Sequence, residues 1–352
     1  MNLVYKALGH RLFWPLAMLV VLLAVNVIAV PGFLSITVNS EGHLFGSLID
    51  IVRNGAPTLI IAVGMTLVIA TRGIDLSVGS MCAIAGALAC SIILASPTPN
   101  DVGTVTVAVL LSLALALVLG VWNGFLVAVL GIQPIIATLI LMTAGRGIAM
   151  LITEGQILTV NSAPFKFIGS GFLAGIPVAT IVAAVVLALV ALLTRRTALG
   201  MLIESVGINP EASRQAGVRA RGLLFTVYAL SAVLAAVAGL ILTSNQTAAD
   251  SNNTGWLIEL DAILAVVLGG TSLNGGRYSL TGTLVGALVI QTLITTVYTV
   301  GIPPIATMVF KAAVVVAVTL LQSSRVSSAL ARRRSRGRRA ETVGSAAEAV
   351  AR

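Results

Sequence analysis

Few side chains in this 352-residue chain are equipped for chemistry, and most of those sit in apolar surroundings. Asp75 and Ser77 lie in GIDLSVG, residues 73–79, which interrupts an otherwise continuous apolar stretch from 56 to 95. Two glycines and an aspartate between helices suit a broken helix, whose free backbone groups must face protein or water. Asp75 and Ser77 are therefore candidates to line a polar path for a hydroxylated solute. The alternative is that Asp75 caps the helix that follows, a common use of aspartate, with Arg72 as its ion-pair partner; the two roles are compatible. Lys311 and Arg146 fall inside apolar runs, where a cation costs about 2.5–3.5 kcal/mol and so faces the bundle interior or snorkels. Lys311, near the middle of its run, is a path candidate. Arg146, in a GRG context nearer the outer end, either faces the path, snorkels or caps a helix terminus. Asn123 and Gln133 bracket two neighbouring runs, as donors to the solute or as interhelical polar glue.

Other chemistry is excluded. The only lysines are Lys6, Lys166 and Lys311, and none completes a GxxxxGK phosphate loop. With His10 and His43 alone no HExxH motif exists, and Cys82 and Cys90, both in one apolar run, offer neither a metal site nor a disulfide framework. No nucleophile–base pair stands out. The expectation is a conduit rather than an enzyme, with no cofactor and no metal held by this chain.

The surrounding elements explain the poverty. Hydrophobic residues make up 58% of the chain and charged ones 9%, with mean hydropathy +1.06; a soluble domain carries roughly 25% charge. The apolar runs are about twenty residues long and unbroken, which fits membrane helices and not the alternating ten-residue strands of a barrel. The fold expected is all-α, a polytopic helical membrane protein of about ten spans, some broken or short. The runs are roughly 12–31, 54–71, 76–95, 104–129, 133–152, 176–194, 222–243, 257–271, 280–300 and 304–321. The eighth is the weakest: it is short, opens among Glu259 and Asp261 and ends in Gly269 and Gly270, which allows a half-helix or re-entrant segment. Without a crossing there the last third inverts and the basic tail faces out, which counts against the re-entrant reading. With alternating crossings and an inside amino terminus, 17 of the 21 basic residues fall in cytoplasmic stretches, so both termini are read as cytoplasmic. Residues 1–31 read as an uncleaved anchor. Residues 1–321 form one membrane domain, and 322–352 a basic, disordered cytoplasmic tail beside anionic lipid rather than a nucleic-acid binder.

Between the sixth and seventh runs lies a 27-residue connector, 195–221, where 2–8 residues are usual. Its polar core, GMLIESVGINPEASRQAG at 200–217, includes Glu204 and is flanked by Arg195, Arg196, Arg219 and Arg221. It reads as a turn at Gly207–Asn209, a short helix from Pro210 and a stop at Gly217, a surface helix on which a soluble partner can push. Gly120 with Gly124 and Gly282 with Gly286 are spaced for close helix packing, within or between subunits. RGIDLSVGS at 72–80 and GGRYSLTGT at 275–283 echo one another, through related halves or by chance.

Four blocks carry a further signal: GMTLVIATRGIDLSVGS, IQPIIATLILMTAGRG, TALGMLIESVGINPEASRQAGV and ELDAILAVVLGGTSLNGGRYSL. From about Leu44 to Gln322 the chain resembles permease subunits of bacterial ABC importers for monosaccharides, the ribose, xylose and autoinducer-2 branch, and is most similar to the galactofuranose permease. The resemblance implies a bacterial inner-membrane protein in which two permease copies form the pathway. It also implies a separate ATP-binding subunit that hydrolyses ATP, and a periplasmic or extracellular sugar-binding protein. It carries the family's coupling segment onto Gly207, Asn209, Ala212 and Gly217, and its loop motif onto Gly73, Asp75, Leu76, Ser77 and Gly79. Arg72 and Asn274 depart from the small and apolar residues common there. The competing reading, a self-sufficient ion-coupled sugar transporter, needs membrane-embedded carboxylates, for which Asp75 is the fair candidate.

Overall fold

A computed structural model describes residues 12–301, 303 and 306–322; the basic stretch expected to be disordered, from 323 onward, lies outside them, as do Lys6, His10 and Arg11. Among the described residues seven helices are long and apolar enough to cross a membrane: α2 (Ser47–Ala70), α3 (Val78–Ala95), α4 (Val102–Ala128), α5 (Pro134–Ile152), α7 (Val178–Arg196), α10 (Ala220–Gln246) and α12 (Leu280–Thr299). Shorter helices lie between and beside them: α1 (Phe13–Ala29), α6 (Ala163–Ser170), α8 (Leu199–Ile208), α9 (Pro210–Gln215), α11 (Ile258–Leu268) and α13 (Thr307–Gln322).

The arrangement is inside-out with respect to a water-soluble bundle. In α2 the most apolar stretch is 83% buried, whereas in α4 and α7 it is 22%. The outer helices turn Leu110, Leu117, Val118, Leu189 and Leu192 outward. In water such a surface is a liability; against lipid tails it is the natural boundary. Inside, small residues let backbones touch, as expected where helices associate by packing rather than by hydrophobic drive. Gly64 lies 3.1 Å, measured from where a Cβ would stand, from the Ser231 backbone, and a side chain at Gly239 would strike the backbone of Cys82.

Connections gather at two ends. At one, called here the basic end, α2 finishes at Ala70, α7 and α10 flank α8 and α9, and residues 271–279 lead into α12; Arg72, Arg195, Arg196, Arg214, Arg219, Arg221 and Arg277 lie there. The opposite end carries three two-residue antiparallel ladders, an addition to the all-α expectation: β1 (Thr37–Val38) with β2 (Leu44–Phe45), β3 (Leu158–Thr159) with β6 (Ala248–Ala249), and β4 (Phe172–Leu173) with β5 (Ile176–Pro177). They give long polar connectors partners for their backbone groups.

The eighth apolar run is half a helix. The eleven residues of α11 rise about 16 Å, roughly half a bilayer core. Before it, residues 250–257 descend without helix: the Ser251 hydroxyl meets the Ala149 carbonyl near the opposite end, and Gly255 reaches Gly79 and Cys82 on α3. After it, Gly269 packs against the Gly282 backbone at the basic end. The segment as a whole therefore runs from end to end, part extended and part helical.

Candidate functional site

The connector at 195–221 folds as an elbow of two helices. Asn209 closes the start of α9, its side-chain oxygen accepting from the Ala212 amide at 3.0 Å, with Pro210 in the first helical position. Gly217, at φ 85°, closes the other end, where the Gly217 amide donates to the Arg214 carbonyl and the Val218 amide to that of Ser213, a Schellman pattern. The expected turn at Gly207–Asn209 is half right. Asn209 is the corner, but Gly207 is helical, inside α8, because residues 199–208 bury Ile203, Val206 and Gly207 against the bundle. Glu204 is half-buried on α8, while Ala212, Arg214 and Gln215 on α9 are exposed, together with Met201 and Ile208. Arg214 donates to both Glu211 oxygens, at 3.2 and 2.6 Å, and this pairing holds the Glu211 carboxyl below its ordinary range.

Gly207 marks a crossing of three segments. A Cβ there would overlap the Ala70 carbonyl oxygen at the end of α2 and stand 2.5 Å from the Gly276 amide. That amide donates to the same Ala70 oxygen at 2.8 Å. Arg72 does not pair with Asp75; its guanidinium donates to the carbonyls of Gly207 (2.6 Å) and Ile208 (2.5 Å) at the end of α8. The last turn of a helix presents unpaired carbonyls and partial negative charge, which an arginine fork satisfies, while Asp75 takes its donors from Ser77 and Ser231.

Asp75 instead anchors the break between α2 and α3. One carboxylate oxygen accepts from the Ser77 amide (3.1 Å) and hydroxyl (2.6 Å), the other from the Ser231 hydroxyl on α10 (2.8 Å). Asn123 on α4 donates to the Ser77 oxygen at 2.9 Å, and Thr138 on α5 to the Ile74 carbonyl at 3.1 Å. Four helices thus meet at one polar joint. Asp75, Ser77 and Asn123 are all at most 1% exposed. Gln133 lies apart from the joint, exposed at the start of α5.

The two intramembrane cations are also occupied. Arg146 donates to the carbonyls of Ser251 (2.9 Å) and Thr254 (2.7 Å), so it neither snorkels nor caps a helix but satisfies the non-helical strip ahead of α11. Lys311 on α13 donates to both oxygens of Asp261 on α11, at 2.8 and 2.7 Å, with a fifth or less of either side chain accessible.

A bundle whose outer helices face lipid, whose longest basic-end connector is an elbow with an exposed helix, and whose break is held by an internal polar joint has the parts of a conduit worked from one side. The family described as branched-chain amino acid transport system / permease component matches residues 47–319. The chain belongs to this permease family. Among relatives, the galactofuranose transporter permease protein YtfT of Escherichia coli is 47% identical over 332 residues, 93% of this chain and 95% of the relative. The fructose import permease protein FruF of Bifidobacterium longum is 44% identical over 330 residues, 92% and 91% of the two chains. The ribose import permease protein RbsC of Escherichia coli is 36% identical over 312 residues, 87% and 92%. No solved structure matches the chain. The resemblance drawn from the four sequence blocks is borne out.

In this permease both glycine pairs pack inside one chain. Gly120 and Gly124 on α4 face α10, where a Cβ would come within 2.9 Å of the backbones of Ala229 and Phe225. Gly282 and Gly286 on α12 face the backbones of Gly269 and Ala265 around α11. The echoing stretches 72–80 and 275–283 touch: Gly275 leaves room for the Arg72 stem, and Thr66, a few residues before the first stretch, shares a 2.7 Å hydrogen bond with Thr283. Sequence reasoning missed Ser231 and Thr138 as joint residues and Asp261 as the partner of Lys311. A serine amid the apolar residues of α10 was the one local sign.

Proposed function

We propose that this permease is the membrane-spanning subunit of an ATP-driven importer for a monosaccharide, galactofuranose or a ribose-like sugar, and that it works as two copies around a shared path. Under this reading the basic end is cytoplasmic. The seven long helices, with α1, the 250–268 segment and α13, make ten crossings within a single membrane domain, 1–321, and both termini are cytoplasmic. The Asn26 amide donates to Thr296 at 2.6 Å near the far ends of α1 and α12, which supports a parallel course for these two. ATP is hydrolysed by a separate subunit seated on α9 through Glu211, Ala212, Arg214 and their exposed neighbours, and a sugar-binding protein delivers the solute to the opposite end. No cofactor is held by this chain and no nucleic acid is a partner; lipid is its solvent.

The observation that carries the reading is the elbow. It joins a closed helix, α9, exposed at the arginine-rich end, to α8, which is seated against the end of α2 and the loop at Gly276, as a transmitter of applied force must be. The sugar rests on the likeness to relatives named for galactofuranose, fructose and ribose. Of the path candidates, the burial of Asp75, Ser77 and Asn123 supports a role in holding the joint; Lys311, with Asp261, and Gln133 remain the side chains proposed to meet the solute.

The test is reconstitution in proteoliposomes. The complete transporter should take up one of these sugars only with ATP and loaded binding protein. The lone chain should show neither ATP hydrolysis nor gradient-driven uptake. Robust proton- or sodium-driven uptake by the lone chain would replace this reading with the ion-coupled one.

A further inference from the structure

We infer that Arg72 is the transmission link of this permease, a positioning residue through which movement of the elbow reaches the joint that starts α3. The inference rests on the elbow being where the ATP-binding subunit acts, and goes beyond it by naming how the motion enters the bundle.

Arg72 stands where the chain leaves α2, in a left-handed conformation (φ 66°) that side chains other than glycine rarely adopt. That conformation turns its stem into the space beside Gly275, where any Cβ would collide with it. The guanidinium then grips two successive carbonyls, Gly207 and Ile208, at the corner of the elbow. A planar fork fixes direction as well as distance, which an ammonium point charge does not.

The other side of the connection is equally firm. Within five residues of Arg72 the chain is tied to α5 through Ile74 and Thr138, to α10 through Asp75 and Ser231, and to α4 through Ser77 and Asn123. The Ser77 carbonyl accepts the Met81 amide and the Ser80 hydroxyl, so the first turn of α3 is continuous with the joint. Asp75 lies three positions after Arg72, and an extended chain of that length spans only about 10 Å. The stretch 72–77 is therefore a short tether with the elbow at one end and the junction of four helices at the other. A shift of α8 by more than about 1 Å must either carry the tether along or stretch both arginine bonds beyond hydrogen-bonding distance.

The test uses the complete transporter in proteoliposomes with galactofuranose, ribose or fructose, whichever the wild type imports. Arg72→Ala should leave the ATP-binding subunit bound and ATP hydrolysis within about twofold of wild type. Sugar imported per ATP should fall at least tenfold, and ATP should no longer alter amide hydrogen exchange across residues 73–80. Arg72→Lys, able to reach one carbonyl, should fall between the two. An unchanged ratio of sugar to ATP in Arg72→Ala overturns the inference and leaves the permease reading intact. Loss of the bound ATP-binding subunit also overturns it, since Arg72 would then merely shape the docking surface. A wild type that imports none of the sugars with ATP removes the permease reading and this inference with it. Should Arg72→Ala fail to insert, Arg72→Lys decides alone: a wild-type ratio with full assembly overturns the link, and a ratio reduced threefold or more supports it.

Discussion

Replacing Asp75 separates the joint from the path. Three donors converge on its carboxylate: the Ser77 amide, the Ser77 hydroxyl and the Ser231 hydroxyl. In Asp75→Ala the hydroxyls have other recourse. Ser77 can turn to the Asn123 side-chain oxygen, which is buried and has no partner, and a helical serine such as Ser231 can bond the carbonyl one turn back. The Ser77 amide has none. An orphaned buried donor costs about 1–3 kcal/mol, and each displaced hydroxyl bond about 1 kcal/mol more, so the total is about 3–5 kcal/mol. Asp75→Asn keeps an oxygen toward Ser77 and offers its amide to Ser231, losing about 1.5 kcal/mol at most. Unfolding of the detergent-solubilised protein should therefore rank wild type, then Asn close behind, then Ala far below, and Asp75→Asn should retain sugar uptake. Equal loss in both variants would show that charge, not the count of hydrogen bonds, stabilises the joint. A stable Asp75→Asn without uptake would place the carboxylate in the solute's way and refute the reasoning.

Three further outcomes are expected. Gly207→Ala must push α8 away from Ala70 and Gly276, so it should lower sugar imported per ATP while the chain still inserts; normal coupling would mean the crossing yields without consequence. Arg214→Glu, on the exposed face of α9, breaks the pair with Glu211. It should lower the melting temperature only slightly, as exposed pairs contribute little, and weaken co-purification of the ATP-binding subunit by tenfold or more; undiminished attachment would move the docking surface off α9. Lys311→Met leaves Asp261 unpaired, for which enclosed pairs lose about 3–5 kcal/mol, and less here because both side chains keep some access. The double variant Lys311→Met with Asp261→Leu should recover most of that stability, and a double variant no better than the single would show that the two charges act separately.

What could be read ahead of the structure was whatever a local pattern encodes. Long apolar runs gave the helices, and Asn209–Pro210 and Gly217 gave both ends of α9; the half-helix of the eighth run was the lesser of two readings there. The rest was hidden because its partners are distant in the chain. Ser231 lies 156 residues from Asp75, and Lys311 lies 50 from Asp261, so neither pairing leaves any spacing to detect. Arg72 beside Asp75 suggests a local ion pair, yet a helix end 135 residues away claims the arginine. Helix α8 was obscured by Gly207, a residue that ordinarily marks a turn but here is required for contact with another backbone.

The six-residue α9 finishes itself: Asn209 supplies one lid, Gly217 the other, and Arg214 with Glu211 a brace between them. Such a knob exists in its final shape before anything arrives. Under the proposed docking, a companion protein closing on it would have no loose strand to organise first, so the entropy of ordering that often weakens association is already settled within this chain.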